Sequence, residues 1–220
     1  MITEMLSGTV ILGIITSGIR LATPYLYASI GEMFGQRSGV LNLGVEGQML
    51  LGAFTAFYVA LITGNLWLGV LAAMAVGALM GLAMAFVTNH LHATQGISGI
   101  GCYLFGLGMS NLLFEKVIGK VQSIQGFPRL EIPLLSKIPI LGEVFFSQNI
   151  LVYLAFLLVP LAWFVLNKTT LGLKIRAVGE NPEAADSLGV SVVGIRYFTV
   201  TLGGILSGVA GASLSIALLN

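Results

Sequence analysis

The strongest constraint in this 220-residue sequence is a recurrence of apolar runs near twenty residues long, separated by short polar turns. That is the length an α-helix needs, about 20 residues, to cross the hydrocarbon core of a bilayer. Six such runs can be drawn, at about 5–30, 39–62, 66–88, 94–114, 148–166 and 191–218, with Arg20 and Pro24 inside the first and Pro160 inside the fifth. They are long and do not alternate, which selects helices over barrel strands, the two solutions a bilayer permits. Composition agrees: 56% of residues are hydrophobic and 9% charged, with a mean hydropathy of +0.97, where a soluble domain carries roughly a quarter charged residues. The expected fold is all-α, a polytopic transmembrane helical bundle of about six spans forming a single domain over 1–220.

Charge is informative through its placement. The net charge of +1 gives no reason to expect a nucleic-acid partner. Lys168, Lys174, Arg176 and Arg196 surround the link between the fifth and sixth runs, which marks that link, at about 167–190, as cytoplasmic. Counting back, the turn with Arg37 and the turn "NHLH" at 89–92 fall on the same side, and the N-terminus and the segment 115–147 fall outside. That segment, containing "GFPRLEIPLLSKIPILGEVFF", has prolines and mixed polarity that argue against a spanning helix, so an ordered extracytoplasmic loop is expected. No Lys or Arg precedes the first run, so it is read as a mature helix, not a signal peptide.

Several chemistries lack their residues. Gly119-Lys120 is followed by Val121 and has no upstream P-loop glycine, so ATP binding by this chain is not expected. His90 and His92 stand in a polar turn without companion ligands, and no metal site is expected. Cys102, the single cysteine, reads as a small buried filler. No catalytic constellation stands out, which argues against an enzyme. The 29 glycines suit close helix packing in lipid: Gly77-Ala-Leu-Met-Gly81 and Gly204-Ile-Leu-Ser-Gly208 have the small-xxx-small spacing and are expected to pack inside one bundle.

Two stretches carry the functional signal. In "GQRSGVLNLGVEGQMLLGAF", residues 35–54, a carboxylate, Glu46, and an amide, Asn42, interrupt an apolar run. A charge at the centre of a membrane helix costs on the order of 3 kcal/mol, so a paired or hydrated position is expected. Asn42 and Glu46 are four apart, and if helical they share one face with Met49, Ala53 and Phe57, a face expected to point into the bundle. Three readings stay open: a structural pair bonded to neighbouring helices, a lining of the transport path (Asn42, Glu46, Met49, Phe57), or a proton-carrying Glu46 in an ion-coupled secondary transporter. In "TTLGLKIRAVGENPEAADSLGVSV", residues 169–192, Asn181 is an N-cap, Pro182 suits the first helical position, Glu183 complements the helix N-terminus, and Gly189 supplies a stop. They enclose a helix of about two turns, too short to be stable alone, which is expected to dock on a cytoplasmic partner, with an ordinary amphipathic connector as the alternative.

"RSGVLNLGVEGQMLLGAF", Thr23-Pro24 and "GLKIRAVGENPEAADSLGV" together resemble the membrane permease subunits of ATP-binding-cassette importers, in the group serving ribose, branched-chain amino acids and nucleosides. The resemblance covers essentially the whole chain. Branched-chain amino acid permeases typically show an Asn followed by Ala-His-Gly-Glu at the first stretch and ribose permeases an Asp-Leu-Ser-Val-Gly pattern; Asn42-Leu-Gly-Val-Glu46-Gly47 is closer to the nucleoside or simple-sugar branch. The resemblance implies uptake of a nucleoside or similar small polar solute, with a sugar or branched-chain amino acid as the alternative. It implies a second, related permease, cytoplasmic ATPase subunits that use the ATP, and an extracytoplasmic solute-binding protein, all at the cytoplasmic membrane. It further implies that Gly179, Glu180, Asn181, Pro182, Glu183, Ala184, Ala185, Leu188 and Gly189 form the coupling segment held by the ATPase. Members of this branch run on through further spans, so a fragment or shortened version, truncated at its C-terminus, is expected.

Overall fold

The computed structural model describes residues 8–119, 124–131 and 145–218. Eight helices are present among them: α1 (Gly8–Arg37), α2 (Val45–Thr63), α3 (Leu66–Asn89), α4 (Gln95–Leu113), α5 (Ile150–Lys168), α6 (Thr170–Glu180), α7 (Pro182–Ser187) and α8 (Val192–Ser213). Single π-helical turns, Phe114–Ile118 and Leu214–Leu218, prolong α4 and α8. Two three-residue strands, β1 (Arg129–Glu131) and β2 (Ser147–Asn149), pair antiparallel with Arg129 opposite Asn149. The remainder of the expected outer loop, 120–123 and 132–144, lies outside the described residues.

Five helical stretches are long and apolar enough to cross a membrane: Val45–Thr63, Leu66–Asn89, Gln95–Ile118, Ile150–Lys168 and Val192–Leu218. The sixth expected run, in α1, is not among them. At 1.5 Å per residue its 30 residues extend about 45 Å, ample for a crossing, but Arg20, Pro24, Glu32 and Arg37 lower its hydropathy. The helix also continues to Arg37, seven residues past the expected end, and α2 begins at Val45, six residues late. Residues 38–44 form the turn that joins them.

Helix α8 is the centre of the bundle. Of its most apolar 18 residues 67% are buried, against 17% for α4, and it packs against α1, α2 and α3. Small residues allow this. The two small-xxx-small motifs lie against each other: a Cβ on Gly77 would strike the Gly204 carbonyl oxygen, and a Cβ on Gly204 would strike that of Gly77. Gly52 of α2 likewise meets Gly208, where an added Cβ would lie 2.8 Å from Cα. In lipid no hydrophobic force drives helices together, so this close backbone approach, with its dispersion contacts, holds the bundle.

The two ends are tied by polar contacts. At one end the Arg37 turn, the 89–92 turn and the 167–190 link lie together, as the count of spans predicts: Gly179 rests on the Arg37 carbonyl, and from the start of α8 Tyr197 Oη lies 3.0 Å from His90 Nδ1 and Arg196 Nε donates to Ser38 O at 3.4 Å. At the other end Arg20 Nε donates to Gln148 Oε1 (3.0 Å), Asn149 Nδ2 to Ala217 O (3.3 Å) and Phe127 N to Ile216 O (3.3 Å). Trp67 meets Phe127 edge-on at 5.3 Å. The described part of the 115–147 segment is therefore ordered against the bundle at the end opposite the basic turns.

Candidate functional site

The turn 38–44 starts as a helix stop. Gly39 has φ +82°, the left-handed conformation that closes a helix, and Ser38, Gly39 and Val40 donate their backbone N–H groups to Gly35, Gln36 and Gly35. Four elements then converge on it. From α4, Gln95 clamps it with both ends of its amide, accepting from Leu41 N at 2.8 Å and donating to Gly39 O at 3.2 Å. Thr199 of α8 shares a 2.7 Å hydroxyl–hydroxyl bond with fully buried Ser38. From α1, Glu32 Oε1 accepts from Asn42 N at 3.0 Å. Finally, α6 brings Gly179 so close that an added Cβ would strike the Arg37 carbonyl oxygen and lie 3.3 Å from Gly39 N.

The buried Ser38–Thr199 pair makes a local prediction. Each hydroxyl has one proton, so deleting one leaves the other with fewer partners in a site closed to water. Ser38 Oγ keeps its bond to Gly35 O at 2.8 Å, so Thr199→Val should destabilise the detergent-solubilised protein by about 0.5–1.5 kcal/mol, the net value of one hydrogen bond, whereas Thr201→Val on the same helix, whose hydroxyl is buried without a partner among the described residues, should cost less. Equal melting shifts for the two variants would count against the pair.

The expected Asn42–Glu46 face does not form. Asn42 precedes the helix, is 6% exposed, and turns its side chain back so that Oδ1 accepts from Gly44 N at 2.9 Å. Glu46 stands in the first turn of α2, exposed, with no hydrogen bond among the described residues. Met49 is buried in the core, and Phe57 is half-buried. The i, i+4 relation is lost because the helix starts only at Val45, and a Gly-rich turn occupies position 42. The polar group that α2 does bury is Gln48, fully enclosed, its Nε2 3.9 Å from Cys102 Sγ and its Oε1 without a partner among the described residues. The glycines of the stretch explain themselves by packing: Gly44 lies against Cys102 and Gly99, and Gly47 against Cys102, Tyr103 and Gly106 of α4.

The second stretch folds as two helices, not one. Thr169 caps α6, its Oγ1 accepting from Gly172 N at 3.2 Å, and Gly172, Ile175 and Val178 form a buried stripe at three-residue spacing. Gly172 approaches the Val165 and Leu166 carbonyls too closely for a side chain. Next, α7 follows the predicted signals: Asn181 Oδ1 accepts from Ala184 N at 3.0 Å, Pro182 occupies the first turn, Glu183 stands beside the N-terminus, and Gly189 has φ +79° just past the end. Ala185 is buried under the helix. Glu180, Asn181, Glu183, Ala184, Asp186 and Leu188 are exposed, Leu188 at 85%, and Gly179 and Gly189 border them. Leu188 thus stands in solvent at the end of α7, beside the exposed carboxylates Glu183 and Asp186.

Glu32 and Gln48 were missed from the sequence. A signal existed for Glu32: it repeats at helical spacing with Tyr25, Ser29 and Gln36, but the first run was ended at 30. For Gln48 none existed, since its burial depends on where α4 packs.

A family model described as branched-chain amino acid transport system / permease component matches residues 14–219. A protein named as a glucose ABC transporter permease, TsgC13 of Haloferax volcanii, is 43% identical over 93% of this chain and 63% of its own length. The nucleoside ABC transporter permease protein NupC of Lactococcus lactis is 36% identical over 90% of this chain and 66% of its own. The guanosine ABC transporter permease protein NupQ of Bacillus subtilis is 38% identical over 90% of this chain and 65% of its own. The chain thus spans just under two thirds of the length of these relatives. No solved structure matches it significantly. Five apolar helices and a family match along nearly the whole chain make this a multi-pass protein of the cytoplasmic membrane, and it belongs to the permease component family of branched-chain amino acid transport systems.

Proposed function

We propose that the chain is a permease subunit of an ATP-binding-cassette importer, which forms the membrane path for a nucleoside or similar small polar solute. The observation that carries this reading is the seat of α7: a capped helix with two carboxylates, Glu183 and Asp186, and an exposed Leu188 at its end, joined through α6 to the backbone of the 37–40 turn. A cytoplasmic ATPase that gripped α7 would move α6, and Gly179 would press on the turn that also holds α1, α4 and α8. In this reading ATP is bound and hydrolysed by two partner subunits, a related second permease completes the path, and an extracytoplasmic protein delivers the solute. The residues from Gly179 to Gly189 are the coupling segment. Glu46 and Phe57, which keep accessible surface on α2, remain candidates for the path, with Asn42 and Met49 supporting them from the turn and the core.

The nucleoside assignment rests on the two relatives named for nucleoside and guanosine transport. The Haloferax relative, at higher identity and named for glucose, favours sugar as the second reading. Purification from membranes with the neighbouring ATPase, followed by uptake of labelled guanosine and glucose, separates them. Leu188→Asp should cut ATPase recovery by roughly tenfold, since a buried leucine at an interface is worth about 1.5–3 kcal/mol, while leaving membrane insertion intact. Full recovery of the ATPase with Leu188→Asp would remove α7 from the interface.

A further inference from the structure

The outward faces of most spanning helices are what lipid requires. Leu71, Leu79 and Leu82 on α3, Ile97, Ile100 and Leu104 on α4, and Leu157 and Leu161 on α5 are all exposed. Helix α1 differs. Its buried face carries Thr23, Pro24, Tyr27, Ile30 and Phe34. At 3.6 residues per turn, Gly18, Ala22, Tyr25, Ser29, Glu32 and Gln36 fall within an arc of about 80° on the opposite side. Glu32 is half-buried, the other five are exposed, and Tyr25 is 70% accessible. Gly18 and Ala22 are small and apolar, and the other four, Tyr25, Ser29, Glu32 and Gln36, are polar. At 1.5 Å per residue the polar part rises about 16 Å, roughly half the thickness of the hydrocarbon core. A carboxylate, an amide and a hydroxyl on such a face cannot be turned to lipid without cost, and membrane helices turn groups of this kind to protein or to water.

Toward the Arg37 end of the stripe, Ser29, Glu32, Met33, Gln36 and Arg37, all on α1, border a space of about 600 Å³ that is open on the side away from the helix. Glu32 is fixed there by two hydrogen bonds to the same oxygen: Oε1 accepts from Asn42 N (3.0 Å) and from Gln36 Nε2 (3.2 Å). Its Oε2 takes no hydrogen bond among the described residues. A carboxylate held rigidly by one oxygen offers the other as an acceptor to a ligand with hydroxyl donors.

We propose that the Tyr25–Ser29–Glu32–Gln36 stripe of α1 is a wall of the solute path, and that Glu32 Oε2 with Ser29 and Gln36 binds the adjacent hydroxyls of a neutral, hydroxyl-rich solute. The vicinal hydroxyls of a nucleoside ribose and of a hexose present the same chemistry. The assignment rests on the importer reading and adds to it a place on this chain.

The test uses the complete transporter in inverted membrane vesicles, in a Cys102→Ser background that removes the native thiol. Ser29→Cys and, as the lipid-facing comparison, Leu104→Cys are treated with a charged, membrane-impermeant methanethiosulfonate. A thiol in hydrocarbon does not ionise and so does not react. Ser29→Cys should label about tenfold faster than Leu104→Cys, and guanosine or glucose, tried separately, should slow it. Glu32→Gln keeps the Oε1 acceptor that Asn42 N needs and turns the other position from acceptor to donor. It should raise the KM for uptake by about tenfold, a larger factor than any loss of Vmax, whereas a purely structural Glu32 would leave KM where it was. Labelling of Ser29→Cys no faster than Leu104→Cys overturns the path assignment, and fast labelling with neither protection nor a KM change overturns the binding role. Lack of guanosine and glucose uptake by the unsubstituted complex would count instead against the importer reading, and the labelling rates, which need no transport, would still decide whether the stripe faces water.

Discussion

Gly204→Leu is expected to abolish accumulation of folded protein in the membrane. The α3–α8 contact is backbone against backbone: Gly77 faces the Gly204 carbonyl, Gly81 faces that of Val200 at 2.8 Å from an added Cβ, and Gly208 faces that of Ala73. A clash with the far end of a flexible side chain is relieved by a rotamer change, but a carbonyl inside a helix moves only with its helix. Because α8 also packs on α1 and α2, displacing it from α3 opens two further interfaces. The smallest change, Gly77→Ala, already adds a methyl group where none fits and should cost about 1–3 kcal/mol. Gly108→Ala, a position with nothing within 4 Å, should be neutral or slightly stabilising, because alanine favours the helix by about 1 kcal/mol. The membrane yield of protein checks Gly204→Leu, and thermal melting of detergent-solubilised protein ranks the two alanine variants. Should Gly77→Ala and Gly108→Ala melt together, the glycine contact does not hold the bundle.

The helices were legible because a bilayer leaves so few alternatives: run length alone placed α2 to α5 and α8. The caps of α7 were legible for a different reason. Asn181, Pro182, Glu183 and Gly189 act within a few residues of themselves, so their chemistry is complete in the sequence. The pairing of Gly77-xxx-Gly81 with Gly204-xxx-Gly208 was half legible, since the spacing announces a packing surface without naming its partner. The 38–44 turn was not. "SGVLNLG" reads as the start of an apolar span until Gly39 takes its positive φ and Gln95, which lies 54 residues from Leu41, bonds to it. That turn decides which polar residue faces inward: it leaves Glu46 exposed and encloses Asn42 and Gln48. Helix α6 escaped for a related reason, because its buried stripe of Gly172, Ile175 and Val178 is short and its burial comes from the end of α5.

The second large effect is expected at Gly179, where the two informative stretches of the sequence touch. Transmission from a partner bound at α7 requires a stiff joint, because a yielding contact would absorb the movement locally. Here the joint is the α6 backbone resting on the Arg37 carbonyl and the Gly39 amide. Beyond it the turn is held by Gln95 and Thr199 at once. Gly179→Ala forces α6 away from the turn without touching the exposed face of α7. The complex should therefore still assemble with its ATPase and hydrolyse ATP, while uptake falls roughly tenfold, the scale of a typical coupling energy between sites. Gly189→Ala is the companion variant. It is strained by its positive φ but has nothing within 4 Å, so it perturbs the end of α7 and not the joint. It should weaken ATPase recovery more than it lowers uptake per bound ATPase. If Gly179→Ala and Gly189→Ala lose assembly and uptake in the same proportion, the contact with the 37–40 turn is packing only. If Gly179→Ala alone separates hydrolysis from uptake, movement passes from α6 through this turn into α1, α4 and α8.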